Sequence, residues 1–215
     1  MGMRGRVFLC ENILPPIRDL ISRKQTKGKN IITMAIKATI FKVELNIADI
    51  DRNYFQDHKL TIARHPSEND ARMMARLVAF VLNAHKDLIF TQGVSRGDEP
   101  DLWRKDLTGN IEMWVEIGQP DEKQIRKACG RAKEVIIYTY SGNSANAWWK
   151  KITPDIHRFK NLSVINLPTE AILEIAALAE RTMDFSCTIQ DGEVWISGRD
   201  KTVRICPVRW KKQQR

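Results

Sequence analysis

A predicted β-hairpin in the middle of the chain constrains its fold more than any other feature of the sequence. Apolar side chains recur at every second position of residues 111–117, which is typical of a strand with one buried face. Residues 107–110 precede this strand and form turns readily, since they include Gly109. The hairpin therefore brings Asp101, at the start of one strand, close to Glu116, at the end of the other.

Strand and helix patterns alternate on both sides of this hairpin. The predicted order is strand, helix, strand, hairpin, helix, strand, helix, strand, helix and a small β-meander that turns at Asp191-Gly192. This order predicts an α/β fold with a mixed central β-sheet flanked by helices and with extra C-terminal β-strands. One long helix opens at residues 66–68 with Ser67 as its predicted N-cap, and another spans residues 168–181.

The composition is that of a globular domain with a basic N-terminal extension. Hydrophobic residues make up 43% and charged residues 28%, and no apolar run reaches the roughly 18–20 residues that span a bilayer. We therefore expect no membrane partner and a cytoplasmic location. Residues 1–33 hold seven basic and two acidic side chains, so they carry +5 of the total formal charge of +9 and leave +4 to the remainder.

These shifts predict three segments. Residues 1–33 are expected to be an extension that is poorly ordered or a mis-assigned start, with Met34 as the alternative first residue, which N-terminal sequencing would test. Residues 34–210 form a single α/β domain, and residues 211–215 form a basic tail. The four cysteines contain no C-x-x-C pair, so we expect free thiols in a reducing cytosol rather than a structural zinc site.

Three carboxylates are candidates for a shared site at the ends of these elements. Asp101 and Glu116 belong to the hairpin, and Glu68 lies in the first turn of the long helix. Neighbouring carboxylates repel each other unless a cation, a proton or a basic group lies between them. Mg²⁺ or Mn²⁺ would suit these hard oxygen ligands, and such an ion can activate water for phosphodiester cleavage.

Three further side chains are candidates to assist these acids. Lys123 and Lys127 are four residues apart on the next helix, so they share one face of it. Gln119 can orient a water molecule or ligate a cation through its carbonyl oxygen. Simpler structural roles remain open: Glu116 can pair with Lys123, and Glu68 can stabilise its helix N-terminus by about 0.3–1 kcal/mol.

The helix, hairpin, helix, strand order with its two acids resembles the core of the PD-(D/E)xK nuclease superfamily. That resemblance implies that Asp101 and Glu116 ligate a metal ion and that Glu68 matches a helix carboxylate of many members. The sequence departs from the pattern at Gly118, which occupies the usual lysine position. Lys123, Lys127 or Gln119 would then replace that lysine.

A second resemblance covers nearly all of the chain from Met34 to Trp210, and it is carried by longer strings. These strings are similar to the bacterial YaeQ family, and they are ARHPSE at 63–68, DEPDLW at 98–103, WVEIGQPDEK at 114–123 and YTYSG at 138–142. The resemblance implies a variant nuclease-like fold, and it implies no settled activity.

Two functions follow as hypotheses. The first is a metal-dependent nuclease or phosphodiesterase that acts on nucleic acid through Glu68, Asp101 and Glu116. The alternative is a non-catalytic module that binds nucleic acid or protein and keeps the nuclease-like fold, as Gly118 and the modest charge of the domain suggest. The sequence predicts neither the substrate nor the oligomeric state. A run of basic residues, either solvated or phosphate-binding, comprises Arg126, Lys127, Arg131 and Lys133.

Overall fold

The protein is described by a computed structural model that defines residues 38–91 and 99–214. These residues form eleven strands and four helices. The strands are β1 (Thr39–Asp49), β2 (Tyr54–Arg64), β3 (Leu88–Phe90), β4 (Leu102–Lys105), β5 (Ile111–Ile117), β6 (Ala132–Thr139), β7 (Leu162–Asn166), β8 (Thr182–Gln190), β9 (Glu193–Ser197), β10 (Thr202–Ile205) and β11 (Val208–Lys211). The helices are α1 (Asp70–Leu82), α2 (Glu122–Arg131), α3 (Asn143–Ile156) and α4 (Thr169–Ala176).

The strands form two mixed sheets rather than the single central sheet that the sequence predicted. The five-stranded sheet has the order β10-β9-β8-β1-β2, and the six-stranded sheet has the order β11-β7-β6-β5-β4-β3. β1 is parallel to β8, whereas the other pairs of the first sheet are antiparallel. In the second sheet β5, β6 and β7 are parallel, and β3, β4 and β11 run antiparallel to their neighbours.

Helix α1 lies between the two sheets. Its nine consecutive residues from Met73 to Val81 are all buried, so it has almost no solvent-facing side. One core cluster joins α1 and α4 to the inner side chains of the five-stranded sheet and to one face of the six-stranded sheet. A second cluster joins the opposite face of the six-stranded sheet to α2 and α3. The fold is therefore layered, with β5 and its hairpin partner β4 touched by helices on both faces.

The hairpin is confirmed, with Leu102 paired to Val115 and Trp103 to Trp114. The chain between the strands turns around Asp106, whose carboxylate accepts hydrogen bonds from the backbone N–H groups of Thr108 and Asn110, both at 2.9 Å. These bonds satisfy backbone donors that the antiparallel ladder leaves unpaired.

The start of α1 differs from the prediction. Asn69 rather than Ser67 is the N-cap, since its side chain accepts a hydrogen bond from the Arg72 N–H at 2.8 Å. The Ser67 hydroxyl instead lies 2.6 Å from Nδ1 of His65. Glu68 therefore precedes the helix, and its side chain can turn back over the first two turns of α1.

The other differences lie near the C-terminus. Helix α4 ends at Ala176, well before the predicted Arg181, because the N–H groups of Leu178 and Ala179 bond three residues back and tighten the chain into a turn. Strand β11 was not predicted. Cys129, Cys187 and Cys206 are free thiols, as expected for the described part of the chain. No helix in residues 38–91 and 99–214 is both long and apolar enough to cross a membrane. The predicted 1–33 extension lies outside the described residues.

Candidate functional site

Two arginines of α1 hold the helix acid predicted from the sequence. The carboxylate of Glu68 is fully buried, and it accepts hydrogen bonds from Nη1 of Arg76 at 3.0 and 3.2 Å and from Nη1 of Arg72 at 3.2 Å. Glu68, Arg72 and Arg76 are four residues apart, so both guanidinium groups lie on the side of α1 that faces Glu68, which precedes the helix. This geometry fixes Glu68 as an ion-pair partner inside the protein.

Arg76 is the larger anomaly, because its side chain is 0% exposed. Besides Glu68, its Nη1 donates to the carbonyl of Ala63 at 3.3 Å, and its guanidinium lies over the ring of Phe90. Its Nε has no hydrogen-bond partner within the described residues, although it lies 3.5 Å from Oδ1 of Asp101. A charge so deeply buried is tolerated only where acids compensate it.

Asp101 immediately precedes β4 and is 2% exposed. Arg72 binds it in a two-pronged geometry, with Nη1 2.9 Å from Oδ1 and Nη2 3.0 Å from Oδ2. The backbone N–H of Ile117, at the end of β5, also donates to Oδ2 at 2.8 Å. Asp101 thus links α1 to the hairpin through charge-assisted hydrogen bonds, which are the strong class in proteins.

The electrostatics of Arg72 reflect these contacts. Burial on its own would lower the pKa of Arg72, but the negative charges of Asp101 and Glu68 and their hydrogen bonds outweigh burial and raise that pKa. The guanidinium therefore stays charged at any pH at which the protein folds. Its Nη2 also donates to the carbonyl of Ile117 at 3.3 Å, which completes its contacts with the end of β5.

Glu116 is the third predicted acid, and it lies close enough to this cluster to respond to it. Burial, followed by the negative charge of Asp101, raises the pKa of Glu116 to about 7, while a hydrogen bond from Trp114 and the charge of Arg72 oppose the rise. The bond joins Nε1 of Trp114 to Oε2 of Glu116 at 3.2 Å. Near neutral pH this carboxyl group is therefore partly protonated, whereas an ordinary glutamate is ionised.

The other three candidates lie on the surface of the protein. Gln119 is exposed, and its Oε1 accepts a hydrogen bond from the hydroxyl of Ser144, at the start of α3, at 3.1 Å. Lys123 and Lys127 are exposed on α2, and none of the contacts of the three acids described above involves them. The basic groups beside the acids are instead Arg72 and Arg76, on the preceding helix.

These two arginines were not predicted, although a signal was present. Glu68, Arg72 and Arg76 follow one another at intervals of four, which places them on one side of a helix. Burial of a charge is rare without partners, so the apolar residues around Arg76 did not by themselves indicate a buried guanidinium.

Tyr140, the second tyrosine of the YTYSG string, is a further neighbour of the cluster. Burial raises the pKa of Tyr140, the charge of Arg72 opposes this rise, and the charges of Glu68 and Asp101 add to it.

A divalent cation does not fit the acids in this arrangement. Both oxygens of Asp101 and both oxygens of Glu68 already face nitrogen donors, whereas Mg²⁺ requires about six oxygen ligands at roughly 2.0–2.1 Å. Throughout residues 38–91 and 99–214, no group of three His, Cys, Asp or Glu side chains is placed to hold a metal ion. The expected Mg²⁺ or Mn²⁺ stays a prediction, and Arg72 supplies the positive charge beside Asp101.

A basic row follows the exposed side of α2, on the outer face of the six-stranded sheet. It consists of Lys123, Arg126, Lys127 and Arg131. Lys123, Lys127 and Arg131 follow one another at intervals of four, and Arg126 is three residues after Lys123, so all four lie toward one side of the helix. The guanidinium of Arg131 also lies 5.4 Å from the ring centre of Trp114. We refer to these four side chains as the α2 basic row.

The two adjacent tryptophans of α3 cover the helix layer beside this row. Trp148 donates from Nε1 to the carbonyl of Pro120 at 2.9 Å, and the ring of Trp149 stacks on that of Trp210 with 5.4 Å between their centres. Both pack against the second core cluster. Their contacts therefore explain them as packing residues.

Comparison with known proteins gives consistent matches. The family model described as YaeQ protein matches residues 34–207. The chain is 43% identical over 179 residues to "Uncharacterized protein YaeQ" of Escherichia coli (strain K12). This match covers 83% of this chain and 99% of that protein. It also resembles the crystal structure of the YaeQ protein from Xanthomonas axonopodis pv. citri, at 44% identity, a TM-score of 0.79 and coverage of 83% and 99%. The YaeQ protein of Pseudomonas syringae matches at 30% identity and a TM-score of 0.79, over 82% of this chain and 97% of that chain.

Proposed function

The chain belongs to the YaeQ family, and from that premise we propose that it is a nucleic-acid-binding module with a PD-(D/E)xK-like core whose acids are neutralised by its own arginines. The observation that carries the proposal is the two-pronged contact of Arg72 with Asp101. It is supported by the chain order, since α1, the β4–β5 hairpin, α2 and β6 follow one another as in that core.

The contact matters because it removes the means of metal-assisted cleavage. A nuclease of this type needs carboxylate oxygens that are open to a cation. Here the carboxylate oxygens of Asp101 and Glu68 form ion pairs with Arg72 and Arg76. These pairs are buried, so water does not weaken them as it weakens pairs on the surface. The fold then keeps its shape without the usual ion, and binding rather than cleavage is the activity that its surface supports.

Nucleic acid is the proposed ligand because of the α2 basic row. Four cations along one side of a helix match the spacing of a polyanion better than that of a single small anion, and phosphate contacts supply most of non-specific nucleic-acid affinity. Glu122, the acidic residue of this helix, lies 2.6 Å from Arg158 of the loop that follows α3 and 3.9 Å from Arg126, so its single negative charge is shared between Arg158 and one cation of the row.

The test is the salt dependence of binding, measured by fluorescence anisotropy with labelled single- and double-stranded DNA and RNA. Replacement of two cations of the row, Lys123→Gln with Arg126→Gln, should lower the slope of log affinity against log salt concentration by about two. The matched control is Lys86→Gln with Arg199→Gln, which removes the same charge from exposed positions elsewhere. An affinity that ignores salt, or equal slopes for the two double variants, would contradict the proposal.

A metal-dependent nuclease or phosphodiesterase is the second candidate, and one observation favours it. Burial and the charge of Asp101 raise the pKa of Glu116 even though Arg72 opposes the rise, which is the state expected of neighbouring carboxylates that share too little positive charge. We would assay cleavage of the same nucleic acids with Mg²⁺ and with Mn²⁺, using Glu116→Gln and the control Glu112→Gln on the same strand. Cleavage that is lost only in Glu116→Gln would favour this candidate, and no cleavage by the unaltered protein would count against it.

A further inference from the structure

A second polar feature lies at the opposite end of α1 from the arginine cluster. It is a cleft of about 940 Å³ between the turns at one end of the five-stranded sheet and the inner face of the six-stranded sheet. The cleft begins at Leu82 and Asn83, where α1 ends, about 20 Å along the helix axis from Asn69. Its floor is apolar and comprises Leu82, Met113, Ile136, Ile165 and Ile189.

The hydroxyl groups of Tyr138 and Ser163 also line this cleft, and that of Ser163 accepts a hydrogen bond from the backbone N–H of Gln213 at 3.3 Å. Tyr138 is 1% exposed, and its oxygen accepts a hydrogen bond from Nδ2 of Asn83 at 2.8 Å. Within residues 38–91 and 99–214, no acceptor takes the hydroxyl hydrogen of Tyr138. Burial raises the pKa of Tyr138 to about 12, against the opposing hydrogen bond of Asn83 and the charges of Arg209 and Arg52. The hydroxyl therefore remains a donor at neutral pH, close to two guanidinium groups.

Among the described residues, three carboxylates and three cations line the cleft, and only Arg52 and Asp49 form an ion pair, in which Oδ2 of Asp49 lies 2.5 Å from Nε of Arg52. Asp51 keeps its negative charge, but both of its oxygens accept hydrogen bonds from the backbone N–H groups of Asp191 and Gly192, so its carboxylate is held against the turn between β8 and β9. The cations that remain are Arg209, on β11, and Lys212, which follows it.

Neither remaining cation has an ion-pair partner. In the described part of the chain, Arg209, Lys212 and the third lining charge, Glu134, make no hydrogen bond or ion pair through their side chains. Two cations without an ion-pair partner in this part of the chain, Arg209 and Lys212, therefore line the apolar floor together with the carboxylates of Glu134 and of the hydrogen-bonded Asp51. Such a cavity, mostly apolar and with a few convergent polar groups, is the usual form of a small-molecule site.

We propose that this cleft binds a small organic anion, whose apolar body lies on the floor and whose carboxylate or phosphate group lies between Arg209 and Lys212. The Tyr138 hydroxyl donates its hydrogen to the bound group. The occupant is a small molecule rather than a polymer, because the cleft lies against the turns at one end of the five-stranded sheet and, among the described residues that line it, only two cations have no ion-pair partner. The proposed site is separate from the α2 basic row, which lies on the other face of the six-stranded sheet.

The experiment uses the full chain and the fluorescent probe 8-anilinonaphthalene-1-sulfonate, which has an aromatic body and one anionic group. Arg209→Gln should weaken probe binding about tenfold, as expected for loss of one charged contact. Glu134→Gln should strengthen binding, because it removes the opposing carboxylate. Arg199→Gln, which makes the same charge change at an exposed position outside the cleft, should leave binding unchanged.

Opposite shifts from Arg209→Gln and Glu134→Gln cannot arise from partial unfolding, which would move the fluorescence of both variants in one direction. Equal effects of Arg209→Gln and Arg199→Gln would overturn the proposal. Displacement of the probe by phenyl phosphate or by benzoate then separates the two kinds of anionic group. Displacement by inorganic phosphate as strong as that by phenyl phosphate would contradict the role of the apolar floor.

Discussion

Loss of the Glu68 charge is expected to destabilise the protein far more than loss of an ordinary surface acid. Glu68→Gln keeps the size of the side chain but leaves Arg76 without its main counter-charge, since the remaining acid, Asp101, lies 3.5 Å from Nε and is bound by Arg72. Both Glu68 and Arg76 have fully buried side chains. The unfavourable free energy of removing the Arg76 guanidinium from water is then no longer offset by attraction to the neighbouring carboxylate of Glu68.

The size of the effect follows from this burial. Removal of one partner from a buried ion pair typically costs about 3–5 kcal/mol of the free energy of unfolding. In a domain of this size, about 1 kcal/mol lowers the melting temperature by roughly 2–4 °C, so we expect a decrease of about 6–20 °C. The matched control is Glu174→Gln, because Glu174 pairs with Lys201 at 2.7 Å where both side chains are about half exposed. That pair should contribute at most about 1 kcal/mol.

Urea unfolding followed by circular dichroism measures both variants. A double variant, Glu68→Gln with Arg76→Met, isolates the pair, because it removes the buried charge together with its partner. We expect the double variant to recover much of the stability lost in Glu68→Gln, since well-packed apolar replacements of buried pairs are often neutral. A loss in Glu68→Gln no larger than that in Glu174→Gln would refute the account of the arginine cluster.

Two further predictions concern pH and backbone conformation. The carboxyl of Glu116 has a pKa of about 7 in the folded protein and 4.5 in the unfolded chain, so its contribution to stability is present below about pH 4.5 and is lost as the pH rises toward 7. The stability of Glu116→Gln relative to the unaltered protein should therefore increase between pH 5 and pH 8. A difference in the free energy of urea unfolding that stays constant over this range would contradict the prediction. Gly142→Ala should lower the free energy of unfolding by about 1–3 kcal/mol, because φ is +52° at this position and an added Cβ would lie 3.2 Å from Oγ1 of Thr169. Gly130→Ala is the control: this position of α2 is helical and has open space around it, so the substitution should raise the free energy of unfolding by about 0.4–1 kcal/mol. Equal shifts of the melting temperature in the two variants would contradict the prediction.

Local patterns in the sequence predicted the strands well where apolar and polar side chains alternate along the chain. The hairpin strand β5 has the predicted bounds, Ile111–Ile117, and the meander strands β8 and β9 also begin and end where the alternation does. In β8 and β9 one face is buried, so the two-residue period appears directly in the side chains, whereas β5 is covered on both faces and only Glu112 and Glu116 are partly exposed. Helix α2 was also close to the prediction, because Asp121 caps it with a reciprocal hydrogen bond from Gln124.

The division into two sheets could not be predicted in the same way. It depends on the pairing of β1 with β8, in which Lys42 lies opposite Thr182, and no local pattern specifies a partner so distant in sequence. The neutralisation of the acids was missed for a related reason. Carboxylates at neighbouring strand ends indicate that a positive charge is needed, but whether lysine, arginine or a metal ion provides it depends on side-chain packing around Arg72 and Arg76.

The β1–β8 pairing also has a consequence for synthesis on the ribosome. The β1–β2 hairpin emerges early, yet its central strand obtains its second neighbour only after Thr182 to Ile189 have been translated. Until then β1 presents an unpaired edge, which is the kind of surface that promotes association between nascent chains. Folding that depends on such a distant contact is slow, so the last strands to be made determine when the first become protected.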